Sequence, residues 1–153
     1  MILRQGAMLD MPAVAVLYRH TMRTSLPFLP ELHTPDEDLA FFRDKLLPNN
    51  IFWVGDDRGT MRGFIAFHEG FVEHLHVHPD AQGKGLGRAL LEKAISANVR
   101  LQLWTFQQNA RARAFYEARG FAPVRFTDGA GNEERLPDVL YGWRRDGTPI
   151  TQD

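Results

Sequence analysis

Cysteine is absent from this chain of 153 residues. Disulfides, thiolate nucleophiles and cysteine-bound metal are therefore excluded. An excess of either charge is missing too. Lys and Arg together number 18 against 19 Asp and Glu, a net charge of −1, and the pI is near 6.6. Nothing global draws such a chain to nucleic acid or to an anionic membrane. No apolar run approaches the length of a membrane span, and Met1-Ile2-Leu3-Arg4 lacks a signal-peptide layout. The expectation is a cytoplasmic protein that binds no nucleic acid and no membrane.

What is present is an ordinary globular balance, with 44% apolar and 24% charged residues. The length suffices for one substantial core. One domain over residues 1–145 is expected, followed by a frayed tail over 146–153.

The most informative stretch is Gln82-Gly83-Lys84-Gly85-Leu86-Gly87-Arg88. It lies between an apolar strand-like run, Phe71 to Val77, and an amphipathic run, Arg88 to Ala97. A glycine turn that opens a helix lets a ligand approach the backbone, and the free amides of the first helical turn point at an anion. Lys84 and Arg88 add positive charge, so the expected ligand carries phosphate. The Walker pattern fails, because Gly85 follows Lys84 and no Ser or Thr follows in the turn. The dinucleotide fingerprint is weak: the turn reads G-x-G-x-G, and Arg100 to Phe106 holds no acid. Gln/Arg-x-x-Gly-x-Gly/Ala fits at Gln82, Gly85 and Gly87.

Periodicity supplies the surroundings. Met1 to Gln5 reads as a strand and Leu9 to Met22 as a helix with Pro12 in its first turn. Thr24 to Thr34 reads as an apolar loop. Thr34 caps a helix that starts with Pro35, runs to about Leu47 and stops before Pro48. Ile51 to Val54 and Met61 to His68 form a hairpin, and Phe71 to Val77 a central strand. After the glycine loop and its helix come a strand Arg100 to Phe106 and a helix Asn109 to Arg119 closed by Gly120. Strands Phe121 to Arg125 and Val139 to Arg144 end the pattern. The order β-α-α-β-β-β-α-β-α-β-β argues an α/β (mixed α+β) domain, with helices on both faces of a mixed sheet.

Leu75-His76-Val77-His78-Pro79, the Gln82 loop, Asn109, Phe115-Tyr116 and Gly120-Phe121 stand at family spacing. With the element order, they resemble the GCN5-related N-acetyltransferases, the GNAT family, over nearly the whole chain. The resemblance implies a mostly antiparallel sheet of about 6–7 strands and about 4 helices, splayed between strands 4 and 5. It implies acetyl-CoA as co-substrate, no metal, and an amine as acceptor; a homodimer is common among similar proteins. The loop Gln82, Gly83, Lys84, Gly85, Leu86, Gly87 and Arg88 would hold the pyrophosphate. The main chain of Leu75, His76 and Val77 would bind the acetyl-pantetheine arm, with the Val77 amide near the carbonyl oxygen. Asn109 is both a plausible helix cap and the asparagine that contacts CoA.

Acetyl transfer to an amine needs a polarised thioester oxygen, a deprotonated amine and a protonated leaving thiolate. Tyr116 matches the family's tyrosine and is the candidate acid. Glu73 is the candidate base, directly or through water, with His74 and His76 as rivals on the opposite strand face; a solvent-facing, ion-paired Glu73 is the plain alternative. With no cysteine, an acyl-enzyme on sulfur is excluded and direct attack remains. Trp104 stands where ribosomal-protein acetyltransferases carry a catalytic glutamate, which counts against that substrate. Leu26, Phe28, Leu29 and His33 are expected to wall one side of the acceptor pocket, with Glu73, Trp104 and Asp138 nearby. Arg111 and Arg113 either reach the adenosine end or are solvated. His74, His76 and His78 share a strand face at a spacing zinc accepts, although no helical partner is apparent. Two other readings of the whole stay open: an acyl-CoA-binding sensor without turnover, and an interaction domain.

Overall fold

Pro12 and Thr34 place the first two helices. Pro12 occupies the first turn of α1 (Met11–Ser25), where its missing N–H costs nothing. Thr34 Oγ1 accepts from the Glu37 amide at 3.1 Å, and Glu37 Oε1 accepts from the Thr34 amide at 2.8 Å. This reciprocal box starts α2 (Pro35–Ala40). These details come from a computed structural model, which describes residues 1–151. The remaining elements are β1 (Ile2–Gln5), β2 (Ile51–Asp57), β3 (Thr60–His68), β4 (Phe71–Val77), α3 (Leu86–Ala97), β5 (Arg100–Phe106), α4 (Ala110–Glu117), β6 (Ala122–Phe126) and β7 (Asp138–Arg144).

The strands form a seven-stranded, mostly antiparallel sheet in the order β1-β2-β3-β4-β5-β7-β6. The pair β4–β5 is parallel, with Phe71, the first residue of β4, opposite Gln102. Among the described residues no helix is long and apolar enough to cross a membrane.

The chain partitions into two compact units. The first holds Met1–His68 and Val72–Ala94. Its core gathers Met11, Val14 and Leu17 of α1 with Phe42, Phe52 and Phe64. The spacing of the three α1 residues puts them on one helical face, and each buried side chain of this size contributes about 1.5–3 kcal/mol. Arg19 Nε lies 2.7 Å from Asp38 Oδ2, and both side chains are largely buried. An Arg19 Nη also donates to the His33 carbonyl at 2.6 Å, which ties the apolar loop to α1. Glycine sets how closely α3 approaches: a Cβ on Gly55 would come within 2.7 Å of Leu86 Cδ1.

One boundary departs from expectation. The helix expected to run to Leu47 continues past α2 as a π-helical turn, Phe41–Leu46. A 3-10 turn, Leu47–Asn49, follows and contains Pro48 rather than stopping before it. The wider turn carries Phe42 and Leu46 into the core, and packing decides it over local propensity.

The second unit holds Glu69–Phe71 and the chain from Ile95 onward. Here β5 pairs with β7 along its whole length, Leu103 opposite Tyr141. Leu101, Leu103, Val139 and Tyr141 are buried, while Trp104 faces out at 40% exposure. Of the expected tail, Thr148 bonds to Asp146 and Ile150 lies over Gly142. Gln152 and Asp153 lie outside the described residues.

Candidate active site

The glycine loop is built from β4 outward. Pro79 ends the strand in a 3-10 turn, Pro79–Ala81. Gln82 Nε2 then donates to the Val77 carbonyl at 3.1 Å, so this side chain braces the loop against the end of β4. Gly83 and Gly85 follow at φ +77° and +89°, and no atom lies within 4 Å of where their Cβ atoms would be. The backbone conformation, not crowding, requires glycine at both positions. Leu86 is buried and anchors the start of α3, while Lys84 and Arg88 are exposed. Among the described residues no acceptor meets the amides of residues 83–88; the first amide satisfied is that of Ala89, by the Gly85 carbonyl at 3.0 Å. A run of free amides at a helix start, flanked by two cations, fits a pyrophosphate.

Of the β4 residues, Glu73 is exposed and Glu73 Oε1 lies 3.0 Å from His68 Nε2. His74 and His76 point the other way. Their rings pack against Tyr18, Phe42 and Phe64 at centroid distances of 5.1–5.4 Å. Burial lowers the His74 pKa to about 4 and carries His76 well below its ordinary value, with His74 adding to the effect. Both rings are therefore neutral, and their conjugate acids are poorly supported. His78 stacks on His20 at 5.0 Å. Among the described residues no group of His, Asp and Glu side chains is arranged to hold a metal ion.

In the second unit, α4 presents Asn109 and Tyr116. Asn109 Oδ1 caps the helix by accepting from the Ala112 amide at 3.1 Å. Its Nδ2 takes no part in the cap. Tyr116 is packed among Phe115, Phe121 and Tyr141 at 5.2–6.4 Å. Its hydroxyl has no hydrogen-bond partner among the described residues, and the residue as a whole is 8% exposed. Burial of the ring raises the phenol's pKa, so Tyr116 carries its proton throughout the neutral range. Gly120 closes the helix, and the Tyr116 carbonyl accepts from the Phe121 amide at 3.1 Å.

The expected acceptor residues fall into three groups. Leu26 is 3% exposed and belongs to the packing beneath the loop, whereas Phe28 is 46% exposed, Leu29 half-buried and His33 exposed. Trp104 lies open with the Arg125 guanidinium 5.3 Å from its ring centre. Asp138 is held by Asn132 Nδ2 at 3.1 Å and by the Thr127 hydroxyl, so its carboxylate organises the β6–β7 connection. Arg113, read as a solvated or adenosine-facing residue, is half-buried and bonds within its own unit. Its Nε donates to the Tyr141 hydroxyl at 2.9 Å, and that hydroxyl donates to Glu117 Oε2 at 2.5 Å. Neither Tyr141 nor His68 stood out in the sequence. Each meets its partner only through pairing of distant segments, which no local spacing records.

Comparison with known proteins agrees with this geometry. The family model for the acetyltransferase (GNAT) domain matches residues 48–123. The peptidyl-lysine N-acetyltransferase YiaC of Escherichia coli is 30% identical over 144 residues, covering 93% of this chain and 96% of that protein. The L-amino acid N-acyltransferase MnaT of the same organism is 33% identical over 105 residues, covering 62% of this chain and 61% of that protein. Among solved structures, apo YjaB from Escherichia coli superposes with a TM-score of 0.76 at 23% identity, covering 94% of this chain and 98% of that one. The structure of yncA from Salmonella typhimurium with acetyl-CoA gives 0.73 at 23% identity, covering 100% and 98%. The chain belongs to the GNAT family and is an acetyl-CoA-dependent N-acetyltransferase.

Proposed function

We propose that this protein acts in the cytoplasm and acetylates a primary amine by direct attack, with a peptide lysine side chain as acceptor. The observation that carries the mechanism is the state of Tyr116: an enclosed ring, a hydroxyl with no hydrogen-bond partner among the described residues, and a raised pKa that keeps its proton in place. The full-length likeness to a peptidyl-lysine acetyltransferase supports the acceptor class.

The donor's pyrophosphate fits the amides of residues 83–88 with Lys84 and Arg88, and Asn109 Nδ2 is available to its pantetheine arm. The main chain of Leu75 to Val77 would orient the acetyl group and polarise its carbonyl. The amine nitrogen attacks the carbonyl carbon, and its proton passes to Glu73 or to water. The C–S bond then breaks, and Tyr116 gives its proton to the departing thiolate. His68 steadies Glu73 for this task. The depressed pKa values of His74 and His76 argue against either imidazole as the base.

The test is CoA release, read with a thiol reagent, over lysine peptides, free amino acids and polyamines. The chain has no cysteine, so the protein gives no background. Turnover highest with lysine peptides supports the reading. Turnover confined to free amino acids would replace the acceptor. Acetyl-CoA binding without turnover on any amine would favour a sensor.

A further inference from the structure

Helix α4 is eight residues long, too short to hold its own orientation in water. Of its residues only Tyr116 is buried. Something besides apolar packing must set how the helix is rotated. The Tyr141 hydroxyl is placed to do so. Tyr141 is 0% exposed on β7, opposite Leu103 of β5, so the paired strands fix its position. Its hydroxyl donates to Glu117 Oε2 at 2.5 Å and accepts from Arg113 Nε at 2.9 Å. Those two residues are one helical turn apart, and they bracket Tyr116 in sequence.

The same arginine fastens the turn that precedes the helix. An Arg113 Nη donates to the Gln107 carbonyl at 3.4 Å. Gln107 Nε2 in turn donates to the carbonyls of Thr127 and Asp138, at 2.8 and 2.9 Å. The Tyr141 ring is enclosed while its two charged partners remain partly open to solvent, and hydrogen bonds to charged partners are stronger than those between neutral groups.

We infer that Tyr141 is a positioning residue: through Glu117 and Arg113 it sets the rotation of α4, and so the direction of the Tyr116 hydroxyl. This inference rests on the reading of Tyr116 as the proton donor. Two further features accord with it. The rings of Tyr141 and Tyr116 lie 6.4 Å apart, so a shift of one helix face is felt by both. Burial and the Glu117 carboxylate both raise the Tyr141 pKa, which keeps the donating proton in place.

The experiment is a set of steady-state measurements on wild type, Tyr141→Phe, Tyr116→Phe and the double variant, with melting temperatures alongside. Tyr141→Phe keeps the ring and removes only the tether. The expected result is a fall in kcat of about tenfold, with KM for acetyl-CoA and for the amine near wild type, as a small misplacement of a reacting group produces. Tyr116→Phe should be slower still, and the double variant no slower than Tyr116→Phe alone, because Tyr141 acts through that hydroxyl. Effects that multiply would overturn the inference, since Tyr141 would then act elsewhere. A slow Tyr116→Phe beside an unchanged Tyr141→Phe would overturn the positioning role alone. An unchanged Tyr116→Phe would overturn the proton-donor reading and this inference with it. If Tyr141→Phe does not fold, Glu117 decides. Glu117→Gln, which still accepts the bond, should stay near wild type while Glu117→Ala loses about tenfold in kcat; equal behaviour of the two would overturn the inference.

Discussion

His74 Nδ1 lies 3.2 Å from His76 Nε2, and His76 Nδ1 lies 2.9 Å from Thr21 Oγ1. Thr21 donates its own proton to the Tyr18 carbonyl at 3.0 Å. With that proton committed, the His76 Nδ1–H donates to Thr21, and the His74 Nδ1–H donates to His76. This order needs a neutral His76, whose Nε2 accepts, and burial disfavours a charge on either ring.

The pair therefore makes stability depend on pH. In the unfolded chain each imidazole titrates near the ordinary value of 6.5, whereas folded His74 titrates at about 4. Between those values the unfolded state binds more protons, so stability is full above about pH 6.5 and falls as pH drops toward 4. The shift on His74 corresponds to roughly 3 kcal/mol at most. Urea unfolding at pH 7.5 and pH 4.5 checks it. Wild type should lose more stability between the two pH values than His74→Asn does, and equal losses would contradict the assignment.

Asp38 gives a prediction about stability alone. Its carboxylate is 9% exposed and pairs with the Arg19 guanidinium at 2.7 Å. Asp38→Ala leaves Arg19 partly buried without its partner and should cost about 3 kcal/mol. Asp38→Asn keeps an acceptor and should cost less. Denaturant midpoints report both, and a loss of under about 1 kcal/mol in the alanine variant would contradict a structural role.

Gly85→Ala separates cofactor binding from folding. The φ of +89° disfavours any Cβ by about 1–2 kcal/mol, although no neighbour would be struck. Relief of that strain would turn the free amides away from the pyrophosphate. KM for acetyl-CoA should rise by about tenfold, with kcat at saturation little changed. Gly70→Ala is the control, because it has a φ of +79° and open space but lies outside the loop. It should lower the melting temperature without moving that KM. A rise common to both variants would point to general destabilisation.

The strands of the sheet were the most legible part of the chain. β4 and β5 begin and end where their apolar alternation does, at Phe71–Val77 and Arg100–Phe106. Asn109 was readable as a cap because capping is local chemistry. Alternation along β4 also showed that Glu73 opposes His74 and His76. It could not show that Tyr18, Phe42 and Phe64 would cover the histidine side, because parity distinguishes two faces without saying which one is buried. The π-helical turn at Phe41–Leu46 was hidden for a similar reason, since its extra residue answers to core packing. The tie from Arg113 to Tyr141 spans 28 positions and leaves no trace in local spacing.

The most direct measurement is CoA release from acetyl-CoA with a lysine peptide, comparing wild type with Tyr116→Phe. Removing one oxygen from an otherwise enclosed ring takes away the proton for the thiolate and little else. We expect kcat to fall by about a hundredfold, the size of a lost general acid, with KM for acetyl-CoA unchanged. An undiminished kcat in Tyr116→Phe would contradict Tyr116 as the proton donor.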